Sequence, residues 1–193
     1  MGLITLDLNS EARQQHSAFS PEPPSPLPRI WIGFLLAFGF LAAEVIEAAQ
    51  GNTDTMGPLT LAASLLGSVY WFFCIHRFHK ILGQLSPQVD GEPTYPITPK
   101  QAVGYHFVPF YNLFWLFRWP GQLKDFLEKY FSIRLASAAG LGTILLLSML
   151  IMRVVDGFIG LTLLFAVALY ISRKLRQAIA ERVETLGSVG VFA

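Results

Sequence analysis

Charge is scarce in this chain, and so is cysteine. Only 14% of the 193 residues are Asp, Glu, Lys or Arg, whereas a soluble domain carries about 25%. That supply is too small to coat a water-exposed globule. The charges also nearly cancel, to +1, so the chain lacks the basic field that attracts nucleic acid, and no nucleic-acid partner is expected. The single cysteine, Cys74, excludes an intramolecular disulfide. No Ser-His-Asp array, glycine-rich phosphate loop or zinc-spaced ligand set occurs. The chain is therefore expected to be no enzyme, with no catalytic residue, no metal and no cofactor. A secretory signal is not expected either, because the first basic residue, Arg13, follows the only apolar stretch at the N-terminus. The opening MGLITL has Leu6 where a myristoylation motif needs Ser or Thr. Insertion is expected to use the first span as an uncleaved signal.

What the chain has is apolar sequence in long blocks. Hydrophobic residues make up 53%, and residues 30–49, 58–75, 135–152 and 154–171 are each dominated by Leu, Ile, Val, Phe, Ala and Gly. Crossing about 30 Å of hydrocarbon takes roughly 17 to 25 such residues as a helix. The expected fold is all-α and integral to a membrane, with four transmembrane helices. To these are added a broken aromatic re-entrant or interfacial helix within 99–131 and an amphipathic helix, both on the cytoplasmic side. Residues 1–29 end in PEPPSPLPR, which cannot form helix and reads as a disordered cytoplasmic tail with a stiff spacer. Residues 30–172 form the membrane domain, and 173–193 form a cytoplasmic helix and tail. In that tail Leu175, Ile179, Val183 and Leu186 make one apolar face, for packing on the protein's own loops and lipid or for a partner. Gly33/Ala37, Gly39/Ala43, Ala63/Gly67 and Ala136/Gly140 are small residues at four-residue spacing, which suits close helix contacts.

The unusual stretch is GYHFVPFYNLFWLFRWPG, residues 104–121. Eight of the fifteen residues from Tyr105 to Trp119 are aromatic. Whether it crosses the bilayer follows from the rule that basic loops stay in the cytoplasm. In the four-span arrangement with both termini inside, thirteen of the fourteen basic residues are cytoplasmic and only Arg153 is outside. If 102–119 also crossed, only six would remain inside. The segment is therefore expected to enter and leave on the cytoplasmic side. Thr98, Pro99 and Gln101 read as a helix start with a capping box. Pro109 breaks that helix by removing a bond to the carbonyl of Tyr105. A second helix is expected from Phe110 to about Arg118. Beyond WPG, the residues Leu123, Phe126, Leu127, Tyr130 and Phe131 read as a separate amphipathic helix.

The same residues carry a resemblance. YWFFCIHRFHKIL followed by ITPKQAVGYHFVPFYNLFWLF resembles a group of bacterial multi-span membrane proteins and domains of unknown function. Their signature is Pro, Ala, Gly-aromatic, Pro-Phe-aromatic-Asn and an aromatic pair. It falls here on Pro99, Ala102, Gly104, Tyr105, Pro109, Phe110, Tyr111, Asn112 and Trp115. The likeness covers residues 70 to 130 and implies a multi-span membrane domain in a bacterial inner or internal membrane. It implies no activity.

Within this frame the candidate binding residues are Tyr105, His106, Pro109, Asn112, Trp115, Arg118, His76 and His79. Asn112 reads either as a ligand contact or as the partner of the carbonyl freed by Pro109. His76 and His79 share a helix face and His106 can approach them, a weak metal or haem pattern that Arg77 and Lys80 oppose. HRFHK reads more simply as a basic helix end facing lipid phosphates. The intramembrane charges are Glu44 and Glu47 on the first span, with Arg153 as their expected ion-pair partner. Such carboxylates also suggest proton or cation transport. The expected function is a non-catalytic multi-pass membrane protein that acts through protein or lipid contacts, for instance in assembling or regulating a membrane complex. Its expected partners are the lipid bilayer and a membrane protein or a second copy of itself. A small transporter or channel component, and a lipid- or cofactor-binding membrane protein, are the alternatives.

Overall fold

The computed structural model describes residues 24–51, 57–89 and 92–190. The expected disordered tail lies outside the described residues up to Pro23, as does most of the loop after Gly51. The first apolar block folds as α1, Trp31–Ala49. It stops at Gln50, whose N–H bonds back to the last turn, and Gly51 follows at φ 81°. Only glycine takes that left-handed turn without steric cost. Helix α2, Pro58–Leu85, opens with proline, whose missing N–H is not needed in a first turn. It ends at Ser86, where Pro87 disfavours helical backbone. Its 28 residues extend about 42 Å, ten residues past the expected end at 75.

A two-residue antiparallel ladder, β1 Gln88–Val89 with β2 Glu92–Pro93, then turns the chain back. Helix α3, Pro99–Gly104, begins with the expected capping box between Thr98 and Gln101. A 3-10 turn, Tyr105–Phe107, and an irregular corner at Val108–Phe110 lead into α4, Tyr111–Phe131. Helix α5 is Ala138–Val154, capped by Ser137, whose hydroxyl accepts the Gly140 N–H at 3.0 Å. That cap moves the helix three residues later than the apolar block suggested. Helix α6 runs from Gly157 to Gly190.

Three of these helices, α1, α2 and α6, are long and apolar enough to cross a membrane, and α5 is a shorter apolar helix of 17 residues. One break expected from the sequence is absent. The chain does not break at Trp119-Pro120-Gly121: α4 continues through Pro120. An interior proline costs about 3 kcal/mol. Here Trp119 and Pro120 are buried in the core with Leu116 and Leu123 on either side, and that packing outweighs the missing bond. Gly157 opens α6. A Cβ there would collide with the ring of Phe40, so the position is glycine because α1 passes so close.

The core lies where α1, α2 and α6 meet. Gly33 lies under the ring of Phe165, and a Cβ at Gly67 would come within 3.0 Å of Leu161, so two of the small-residue pairs serve contacts within the chain. A Cβ at Gly39 would meet nothing within 4 Å among the described residues. The far part of α6 packs on its own chain. Leu175 and Ala178 are buried, and Arg182 donates to the carbonyl of Gln84 at 2.6 Å, in the last turn of α2. Val183, on the expected apolar face, is exposed.

One ion pair expected from the sequence is replaced by a helix cap. Glu47 is 4% exposed, and its carboxylate accepts the Leu59 N–H at 2.7 Å and the Thr60 hydroxyl. These groups begin α2, where unpaired N–H donors and the helix dipole favour an anion. Arg153 sits about two turns away along the bundle and makes no ion pair among the described residues. Glu47→Ala is therefore expected to lower the melting temperature in detergent, Glu47→Gln to lower it less, and Arg153→Leu to leave it unchanged. An equal loss from Glu47→Ala and Arg153→Leu, with no further loss in the double variant, would restore the ion pair.

Candidate functional site

The aromatic stretch folds as a helical hairpin, α3 and α4 joined by the corner at Val108–Phe110, laid against α2. Its hinge is one backbone oxygen. The carbonyl of Ala102 accepts the indole N–H of Trp115 at 3.2 Å and the Nδ1–H of His106 at 2.8 Å. A carbonyl can only accept, so the proton of neutral His106 is on Nδ1, and Nε2 is left as a lone pair. Tyr105, Tyr111 and Trp115 then close the hairpin from inside, with ring centroids 4.8 to 6.1 Å apart. Edge-on and offset arrangements at those distances suit aromatic quadrupoles.

The hairpin meets α2 at two levels. Phe72 contacts His106 at 5.6 Å and Phe107 at 4.9 Å. Two turns further along α2, His79 meets Trp119 edge-on at 5.7 Å. His79 is 1% exposed, and its Nδ1 lies 2.9 Å from the hydroxyl of Tyr95. Among the described residues neither His79 Nε2 nor His106 Nε2 has a hydrogen-bond partner. Burial pushes the His106 pKa down, against the raising effect of its bonds to the backbone at Ala102 and Val103.

The sequence candidates therefore separate. Tyr105, His106 and Trp115 build the inside of the hairpin, while Pro109 forms its corner. Asn112 donates to the carbonyl of His106 at 3.4 Å, one residue beyond the carbonyl of Tyr105 expected to be freed by Pro109. His79 is a packing residue beneath Trp119. His76 is exposed one turn before buried His79 on α2, and no three of His, Cys, Asp and Glu gather to hold a metal among the described residues. Arg118 lies outside the hairpin, with its guanidinium 5.9 Å from the ring of Phe114, as Arg77 lies 5.8 Å from Phe73. The residues that the sequence did not single out are Phe72, Tyr95, Trp119 and the Ala102 carbonyl. Trp119 had a signal, four residues after Trp115 and so on the same helix face. Tyr95, in a loop, had none.

The outer surface of the hairpin is apolar. Phe110 is 90% exposed and holds φ 60°, a conformation rare for a bulky residue. Phe107, Val108, Leu113 and Phe114 are exposed around it. Further along, α4 becomes charged, with Lys124 bonded to Glu128 at 2.7 Å. Beneath the hairpin an open pocket of about 210 Å³ is lined by His79, Lys80, Gln84, Tyr95 and Thr98 among others. It is smaller than the roughly 300 to 1,000 Å³ of sites for drug-sized ligands. No protein-family model matches this chain, and no curated protein or solved structure is similar enough to it to lend an argument.

Proposed function

We propose that this chain is a non-catalytic, multi-pass protein of a bacterial inner membrane. It acts by presenting the α3–α4 hairpin, inside the bilayer, to lipid or to a membrane-protein partner in assembling or regulating a complex. The observation that carries this reading is the bare aromatic tip at Phe110. An apolar ridge of this kind marks an interaction site, and its strained backbone is of the sort kept where function requires it.

Depth supports the same reading. Gly121 of α4 lies beside Ala138 of α5, and Phe117 lies against Gly142. The two helices are thus antiparallel, and the tip at Phe110 reaches about 10 Å deeper than Phe117. With α5 as a fourth span and both termini cytoplasmic, Arg77, Lys80, Arg118 and Arg134 fall together on the cytoplasmic side, as the positive-inside rule requires. The hairpin is then re-entrant, and its irregular corner is supported by Phe72 of α2. The transport alternative is weaker, because Glu47, one of its two carboxylates, is committed to capping α2.

A photo-crosslinking phenylalanine at position 110 is expected to capture phospholipid or a membrane protein in native membranes. In cells with Cys74 replaced, cysteines at exposed Lys100 and Asp125 are expected to be shielded together from an impermeant thiol reagent. No adduct at 110, with that position labelled from water, would overturn the proposal. Labelling of only one of the two cysteines would mean that the segment crosses.

A further inference from the structure

We propose that the protein thins the lipid bilayer along its α5–α6 face, where Arg153 draws down the phosphate of an outer-leaflet phospholipid. The inference rests on the membrane-embedded reading above and starts from a stagger between helix ends. The α1–α2 corner is set by Glu47, whose carboxylate meets Gly57, Leu59 and Thr60. The α5–α6 corner is set by Gly157, which packs on the ring of Phe40. Phe40 lies two turns before Glu47 on α1, so the second corner is about 10 Å lower. A second pair of helices gives the same sense. Gly67 of α2 touches Leu161 of α6. Gly67 is nine residues into α2 and Leu161 only four residues into α6, a difference of about 7.5 Å.

The cationic end of the bundle lies opposite. His79 with Trp119, and Gly121 with Ala138, bring α2, α4 and α5 together there. Arg77, Lys80, Arg118, Arg134, Arg173 and Lys174 all cluster at that end. The apolar length available on the α5–α6 side is therefore short. The 17 residues of α5 rise about 25 Å, and the stretch of α6 from Gly157 to Ser172, ahead of Arg173, rises about 24 Å. Hydrocarbon is about 30 Å thick. A pair of spans shorter than the bilayer is accommodated by thinning the bilayer around it.

The recess also carries groups that need water or headgroups. Arg153 is exposed and makes no ion pair among the described residues, and its planar guanidinium suits a phosphate. Asp156 already accepts the Ile159 N–H at 2.7 Å. Glu44 stands one turn beyond Phe40, whose ring packs on Gly157 beside Asp156, and can face the cationic half of a zwitterionic headgroup. Ile144, Leu147 and Leu150 leave α5 exposed to the acyl chains below.

The test is the reaction of single cysteines with a water-soluble maleimide on both faces of dioleoyl phosphatidylcholine vesicles. The full chain is used with Cys74→Ala as background. Val155→Cys, exposed in the recess, is expected to react as fast as Ala49→Cys at the upper corner, because headgroups and water follow Arg153 down. Adding Arg153→Leu is expected to slow Val155→Cys many-fold and to leave Ala49→Cys unchanged. Arg153→Gln serves the same purpose if the leucine variant does not fold. Protection of Val155→Cys while Arg153 is present, or no effect of removing the arginine, overturns the proposal. If lipid adducts still form at position 110, only the thinning falls. If neither result is obtained, the membrane-embedded reading falls with it.

Discussion

Trp119→Ala is expected to cost about 3 to 5 kcal/mol of stability, the range for removing a large aromatic from a packed core, and to loosen the hairpin from α2. Trp119 is 1% exposed and meets His79 edge-on. It also stands beside Pro120, where α4 lacks a backbone bond and depends on side-chain packing to stay helical. Losing the indole therefore opens a cavity and weakens the helix at the same place. Unfolding in detergent measures the first effect. Faster hydrogen exchange of α4 around Leu116, with α1 and α6 unchanged, measures the second. Trp31, 57% exposed, is the control, and its replacement by alanine should cost little. Equal losses from the two variants would show that the hairpin does not hold to α2 through Trp119.

Gly33→Leu is expected to destabilise by about 1 to 3 kcal/mol, the usual cost of overpacking a filled core. Any side chain at Gly33 meets the ring of Phe165. That ring cannot swing away, because Trp71, Tyr70 and Phe34 surround it with centroids 6.0 to 6.5 Å distant. The relief variant is Phe165→Ala, which clears the space. Gly33→Leu should be milder in that background than in the native one, as expected for residues in contact. The same exchange at Gly39, where an added Cβ would meet nothing within 4 Å among the described residues, should be close to neutral. If Gly33→Leu is as mild as Gly39→Leu, α1 and α6 do not pack as closely as described.

The sequence by itself determined the elements that depend on local chemistry. Long apolar blocks make helices whatever their neighbours are, so α1, α2 and α6 were legible. The capping box at Thr98 and the break at Pro109 were legible too, because they act within one turn of backbone. What depends on other parts of the chain was not legible. Pro120 looked like a second break, yet buried neighbours carry α4 through it. Glu47 looked like the partner of the lone outer cation. Only the tertiary structure brings the start of α2 to its carboxylate and sets Arg153 two turns lower. The three histidines looked like a cluster. Helix rotation turns His79 inward and leaves His76 outside, and the Ala102 carbonyl, which no pattern of side chains announces, decides the proton position of His106. Periodicity and caps are properties of neighbouring residues along the chain, whereas helix stagger and shared acceptors arise only when distant surfaces compete for the same space.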